Sequence, residues 1–338
     1  MDRLIVDADD ARAAGAEPMR SRITQRGLSL TEVGFGAAQL GNLYRPTTDD
    51  EAHAAVAAAW ESGIRYYDTA PHYGIGLSER RLGAALAARP RDQFVLSSKV
   101  GRALVPTPEN AAAGLLDEHG FVTPATHRRE WDFGRDGILR SVEQSLGRLG
   151  TDTIDILYLH DPDDHWQEAS TTGVATLIEL REQGVVRAIG VGMNQAAMPA
   201  RFVRECDIDI VMLAGRYTLL DRTGLDELLP LALERKVAVV AAAVYNSGLL
   251  SRADVADDAR FDYDQAPAGQ VARARALADI CRIHGAILPA AAVQFPLRHP
   301  AVASVVVGMR TAAQVRSTIE RLKAPLADAL WQDLGAQP

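Results

Sequence analysis

Short runs of Val, Ile and Leu recur along the chain, and the segments between them carry apolar residues at helical spacing. Most of the runs are continuous rather than alternating, which is the pattern of parallel strands covered on both faces. Eight strands are expected, at 30–34, 64–68, 94–99, 154–160, 186–191, 208–213, 237–243 and 303–307. Amphipathic helices are expected at 48–62, 78–88, 137–149, 172–183, 199–204, 225–235, 270–284 and 312–323. Strand and helix thus alternate eight times, which predicts a closed (β/α)8 TIM barrel with its active site on the loops after the C-terminal ends of the strands. A doubly wound sheet would want a Gly-x-Gly-x-x-Gly turn after its first strand, and Gly34-Phe35-Gly36-Ala37-Ala38-Gln39 does not supply one.

The connections at 100–136 and 245–270 are longer than the rest. Such loops are either lids and binding segments or plain surface insertions. Trp131 and Phe133 in the first favour a covering role, on the expectation that both are exposed. Residues 1–20 are rich in Ala and Asp without an apolar period, so they read as a dispensable or poorly ordered extension ahead of a single domain over 21–338.

With 338 residues, 47% hydrophobic and 24% charged, the chain has ample apolar side chain for one large core. A formal charge of -8 without clustered Lys and Arg argues against nucleic acid. The longest apolar stretch, 237–245, is far short of the roughly 20 residues of a bilayer span, so no membrane partner is expected. The first residues lack the apolar segment of a signal peptide. Cys206 and Cys281 stand in neither disulfide nor zinc spacing, as buried thiols in a reducing cytoplasm would. No His-x-His or clustered His and Asp set ends a strand, so no metal is expected. Small molecules are the expected partners.

Asp68, Lys99 and His160 close three of the expected strands, and Tyr73 follows Asp68 by five residues. All four would point into one mouth. A carbonyl that accepts a hydride needs a proton donor at its oxygen, and a phenol of ordinary pKa about 10 is a poor one until a cation lowers it. Lys99 is the natural cation, Asp68 would hold the ammonium, and His160 would hydrogen-bond the substrate oxygen. Singly, each reads equally well as a salt bridge, a rim aromatic or a core histidine. Together they make a complete acid/base assembly.

The segment Asp68-Thr69-Ala70-Pro71-His72-Tyr73-Gly74, followed by Leu77-Ser78-Glu79 and Leu82-Gly83, resembles the aldo-keto reductase superfamily. Ser98-Lys99-Val100, the Ser-Leu-Gly-Arg-Leu-Gly ending at Gly150, Asp155 to His160, Ile189 to Asn194 and Val307 to Thr311 extend the resemblance over roughly residues 20 to 325. It implies that Asp68, Tyr73, Lys99 and His160 are a catalytic tetrad working with a nicotinamide cofactor. Gly41 to Arg45, His160 to His165, Ala214 to Asp221, Tyr245 to Leu250 and Leu288 to Val307 are most similar to the L-fucose and D-threo-aldose 1-dehydrogenase group. That likeness implies oxidation of the anomeric carbon of an aldose such as L-fucose or D-arabinose to its lactone. Aldehyde reduction with NADPH, pyridoxal oxidation and a non-catalytic cofactor-binding subunit are the alternatives.

For the cofactor, Asn194 would pair with the nicotinamide carboxamide and Tyr245 would stack on the ring. The family's usual Ser before this Asn and Gln on strand six are Met193 and Ala214 here. Ser247, Gly248 and Leu249 would pass the pyrophosphate. Gly308, Met309, Arg310, Thr311 and Gln314 would meet the adenosine end at a helix N-terminus. Relatives that prefer NADPH often carry Lys-Ser where Gly308-Met309 stand, so NAD is the preferred cofactor and NADP the lesser one, with Arg310 a possible phosphate partner. His72, Trp131, His165, Trp166 and Arg216 are placed near the substrate.

Overall fold

Eight parallel strands close on themselves in the computed structural model of the chain, which describes residues 19–335. In barrel order they are Val33–Gly36, Tyr66–Asp68, Val95–Val100, Ile156–His160, Ala188–Met193, Ile210–Ala214, Ala238–Ala242 and Val302–Gly308. Seven follow the expected positions to within a few residues; the first does not. Residues 29–31 belong to an antiparallel hairpin, Ser21–Ile23 with Ser29–Thr31, and the first barrel strand begins only at Val33. The two pieces meet at a bend at Glu32, and apolar residues on both sides of it, Leu28 and Leu30 before and Val33 and Phe35 after, hide the break. Leu28 and Leu30 fill the lumen from below, and Arg22 donates to the carbonyls of Leu297 (2.6 Å) and Val302 (2.6 Å). Residues 1–18, most of the expected extension, lie outside the described residues.

Strand side chains alternate between lumen and helix layer. Tyr66, Val95, Ile156, Tyr158, Met212, Val240 and Val306 pack in the lumen, while Tyr67, Leu96, Leu157, Leu159, Val211 and Val305 pack outward beneath the helices. The same alternation aims the residues two positions on from Tyr66 and Tyr158, namely Asp68 and His160, into the upper rim.

The expected helices are present, several with shifted ends. Asp49–Glu61 starts on a capping box in which Thr48 and Glu51 bond reciprocally. The segment expected at 172–183 is preceded by helical turns from Trp166, through a π turn at Ala169–Gly173, into Val174–Glu182. Three further helices were not expected: Pro108–Ala112 in the first long connection, Leu288–Gln294, mostly Ala, Val and Leu and buried along most of its length, and Asp328–Asp333. Among the described residues no single helix is long and apolar enough to cross a membrane.

Both long connections carry structure. The first forms the hairpin Arg102–Pro106 with His127–Trp131, and the second the short pair Arg260–Phe261 with Asp264–Gln265. Phe133 is fully buried rather than exposed, because it packs under the first connection against Gly101; Trp131 is 46% exposed.

Gly83 sits where helix Leu77–Leu86 crosses helix Arg135–Leu149, and a Cβ there would lie 2.0 Å from the Leu149 carbonyl oxygen. Alanine normally favours a helix over glycine by about 0.8–1 kcal/mol. Here the backbone clash reverses the sign, and Gly83→Ala should lose about 1–3 kcal/mol of stability by urea titration. A stabilised Gly83→Ala protein would show that the helices do not cross this closely.

Candidate functional site

Three inward positions at neighbouring strand ends build the floor of the site. Lys99 and Asp68 are both 2% exposed, and Lys99 Nζ donates to Asp68 Oδ1 (2.9 Å), Asp68 Oδ2 (2.8 Å) and the Thr69 carbonyl (2.9 Å). Ser97, one inward position below Lys99, donates to Asp68 Oδ1 (2.7 Å) and lies 3.2 Å from the Tyr66 hydroxyl, which pairs with the Tyr158 hydroxyl (3.2 Å). Burial alone would pull the Lys99 ammonium down, but the Asp68 carboxylate and Tyr73 outweigh it and hold it above its ordinary value.

Tyr73 reaches the same point from a loop. Gly41 and Gly74 let the turns after the first and second strands touch: a Cβ on Gly74 would meet the Gly41 oxygen at 2.2 Å, and Gly74 itself has φ of 62°. Lys99 Nζ lies 4.9 Å from the Tyr73 ring centroid, and the His160 ring stands edge-on to Tyr73 at 6.1 Å. The expectation that Lys99 lowers the phenol is met only in part. Burial pushes Tyr73 above its ordinary 10, and the pull of Lys99 offsets it incompletely. The phenol at rest is therefore a protonated acid. Burial, with Arg102 and Lys99 nearby, holds His160 far below 6.5, so its imidazole is neutral.

The first long connection roofs this floor. Its far end pairs with the turn after the first strand, through Tyr44 N to Gly120 O (2.8 Å) and Val122 N to Asn42 O (3.0 Å). Arg129 locks it by a bidentate bond to Asp117 (2.7 and 2.7 Å) and a third to the His72 carbonyl (2.7 Å). The His72 ring then meets Phe121 at 5.4 Å, His119 at 5.5 Å and His160 at 5.6 Å. Trp131 and His165 are brought together at 5.1 Å, with Arg102 over the indole at 4.6 Å. Trp166 is not with them: it packs on Phe202 (4.8 Å) under Arg201, because the turn at His165 starts a helix that carries it into the outer layer. Sequence reasoning missed Arg102, Asp161, His119 and Phe121. Of these only Asp161, next to His160, carried a local signal.

The opposite wall is formed by the ends of strands one, five, seven and eight. Asn194 Nδ2 donates to Asp161 Oδ1 (3.3 Å). Ser247 Oγ accepts from Tyr263 N (2.9 Å), and Arg216 is bound bidentately to Asp262 (2.9 and 2.9 Å), so the second connection is tied across this wall. Arg216 thus serves the loop rather than lying open. Tyr245 turns to the helix Ala312–Lys323, where Arg321 donates to its hydroxyl (3.4 Å), and its expected stacking on a cofactor ring is not what this packing favours. Leu249 and Met309 are buried apolar side chains, so only their backbones face the wall. Gly308 leaves room filled by the Gln39 amide, Thr311 caps the helix Ala312–Lys323, and Gln314 accepts from Arg310 N (2.7 Å).

Arg310 itself is not free for a phosphate. Its guanidinium donates to the carbonyls of Leu43 (2.6 Å), Arg45 (2.8 Å) and Gln39 (3.5 Å) and to Thr47 Oγ1. Buried without a carboxylate partner, it is pulled down to about 10. Gln39 Oε1 and Asn246 Oδ1, on this wall, are buried without a partner. Unpaired amide oxygens beside a glycine and a helix N-terminus are what a dinucleotide can satisfy, and the residues present fit one.

Residues 32–336 match the Aldo/keto reductase family, and the chain belongs to it. It is 48% identical to a D-threo-aldose 1-dehydrogenase of a Pseudomonas species over 91% of this chain and 94% of that one. It is 39% identical to a pyridoxal 4-dehydrogenase of Microbacterium luteolum, over 92% and 95% of the two chains. The holo form of an aldo-keto reductase of Bacillus halodurans superposes with a TM-score of 0.72 at 27% identity, covering 94% of this chain and 95% of that one. The protein is an aldo-keto reductase oxidoreductase, and enzymes of this family use nicotinamide cofactors.

Burial, with Arg102 and Arg129 nearby, drives His72 from 6.5 down to about 2. The unfolded chain takes up this proton below pH about 6.5 and the folded chain does not, so the stability His72 contributes is present above that pH and lost as pH falls toward 2. Between pH about 7.5 and about 5 the urea midpoint of the wild type should fall relative to that of His72→Phe. Parallel curves for the two proteins would mean that His72 is not held neutral.

Proposed function

We propose that this protein oxidises the anomeric carbon of an aldose to the lactone, with NAD as the preferred hydride acceptor. The convergence of Asp68, Lys99, Tyr73 and His160 on one point carries the reading, and the 48% identity to a D-threo-aldose 1-dehydrogenase supports the substrate class. Bound nicotinamide would supply the hydride acceptor, along the wall formed by Asn194, Ser247, Gly248 and Gly308. The chain's own residues move the proton. Neutral His160 donates a hydrogen bond to the sugar O1, and Tyr73, once its own phenol proton has been released to solvent, takes the O1 proton as the C1 hydrogen leaves with its electron pair. Lys99, fixed by Asp68, stabilises the phenolate that this step requires.

The protonated phenol favours a second reading, aldehyde reduction with Tyr73 as the acid, and the 39% identity to a pyridoxal 4-dehydrogenase favours a third, oxidation of pyridoxal. Oxidation is preferred because a lactone hydrolyses in water, which drains the product side. Assays of L-fucose, D-arabinose, pyridoxal and simple aldehydes in both directions separate the readings; activity confined to aldehydes with reduced cofactor would overturn the proposal.

Tyr73→Phe should lower kcat by about 100-fold or more while the NAD dissociation constant stays near the wild-type value, since the hydroxyl acts on the reacting proton and not on the dinucleotide. Turnover at a wild-type rate in this variant would remove Tyr73 from the chemistry.

The preference for NAD follows from the adenosine end. Gly308 and Met309 offer no cation, and Arg310 is committed to backbone carbonyls of the first turn. A charge-assisted hydrogen bond to phosphate contributes roughly 1.5–3 kcal/mol, so its absence should cost NADP about one to two decades in affinity. The ratio of kcat/KM for NAD and NADP measures this, and a ratio favouring NADP would defeat it.

A further inference from the structure

Asp161, immediately after His160, has φ of 46°, a left-handed conformation that costs a non-glycine residue and tends to persist at working sites. The turn delivers a mostly buried carboxylate into the mouth, where Oδ2 lies 3.7 Å from His160 Nε2 and is paired with Arg102. Oδ1 accepts from Asn194 Nδ2 at 3.3 Å. A carboxylate has about four acceptor positions, so these partners leave capacity unused. Arg102 arrives from the insertion hairpin, and its Nε is buried without a partner. Its guanidinium lies over Trp131, whose indole is among the exposed large apolar side chains. Beside His160 there is thus an acceptor with spare capacity, an unpaired donor and an apolar face. None of these is needed to move a proton or a hydride. Together they match a C–OH group on a sugar ring, which both donates and accepts a hydrogen bond.

We infer that Asp161 and Arg102 form the subsite that recognises the hydroxyl on the carbon next to the reacting one, and so select hydroxylated sugars over plain aldehydes. The inference rests on the aldose reading above and assigns its specificity. A substrate lacking that hydroxyl leaves a partly desolvated ion pair unsatisfied, and sites built around a substrate hydroxyl reject such analogues strongly.

D-Arabinose and 2-deoxy-D-ribose differ only in that hydroxyl. With NAD, the wild type should favour D-arabinose in kcat/KM by about 30-fold or more, a moderate value for a site that stays partly open to water. Asp161→Asn keeps a residue that tolerates left-handed backbone and removes the charge. It should narrow the ratio to about fivefold or less, mainly through a higher KM for D-arabinose, with NAD binding by tryptophan fluorescence changed by less than about threefold. Arg102→Lys keeps a cation but removes the Nε donor, and should narrow the ratio on its own. Equal losses on both sugars in either variant, or a wild type that does not discriminate, would overturn the inference while leaving the aldose reading standing. A wild type inactive on all aldoses would overturn the reading itself, and the inference with it.

Discussion

An ammonium and a carboxylate held almost entirely out of water impose the tightest demand in this molecule. Removing either partner of such a pair leaves an uncompensated buried charge, typically at a cost of about 3–5 kcal/mol. Three acceptors at 2.8 to 2.9 Å therefore surround Lys99 Nζ, and Ser97 with the Tyr66 and Tyr158 hydroxyls supports Asp68 from below. This arrangement needs the second and third strands in one register, Tyr66 beside Val95 and Asp68 beside Ser97. A slip of one residue would turn Asp68 or Lys99 into the helix layer. Barrel closure and the charge pair thus require each other.

That pair also sets the state of Tyr73. A phenol beside a free ammonium would be strongly acidified, but this ammonium is largely neutralised by its own carboxylate, and the surrounding burial disfavours a phenolate. The net result is a protonated phenol beside a neutral imidazole. Such a site keeps its phenol proton at rest, and further positive charge next to it would favour the ionised phenol that can take a proton from a substrate. Oxidation thereby depends on what lies against the opposite wall, which ties proton transfer to hydride transfer.

Much of this was legible in the sequence, for physical reasons that differ from residue to residue. Period-two alternation and strand-end position bring Asp68, Lys99 and His160 to one rim, and both are local properties. The first strand was misplaced because apolar residues flank Thr31-Glu32 on both sides, Leu28 and Leu30 before and Val33 and Phe35 after, and hydrophobicity does not register a bend at Glu32 that leaves both halves buried. Phe133 and Trp166 were misread because exposure depends on what a neighbouring segment covers. Arg102 and Asp161 stand 59 residues apart, and Arg310 finds its carbonyls more than 260 residues away. No local pattern encodes such pairings. The resemblance to a family supplied the residues expected around a cofactor, but not the fact that the side chains of Arg310, Leu249 and Met309 are already used within the protein.

The distribution of unpaired polar groups separates the framework from the working surface. Buried polar atoms are nearly always hydrogen-bonded, so exceptions call for a reason. Among the described residues, eight buried side-chain atoms lack a partner, and Arg91 Nε is the one at the N-terminal end of the barrel. The others lie on the first connection (Arg102, Thr123, Arg129), beside Tyr73 (His72, His160) or on the wall opposite it (Gln39, Asn246). The floor beneath them, from Tyr158 through Tyr66 and Ser97 to Asp68 and Lys99, is internally satisfied. Groups that bind only within the protein fix the geometry, whereas groups left wanting at the rim gain most from a polar ligand. The charge pair is accordingly anchored in the strands, while the groups left without partners stand mostly on loops that a related chain can change without disturbing it.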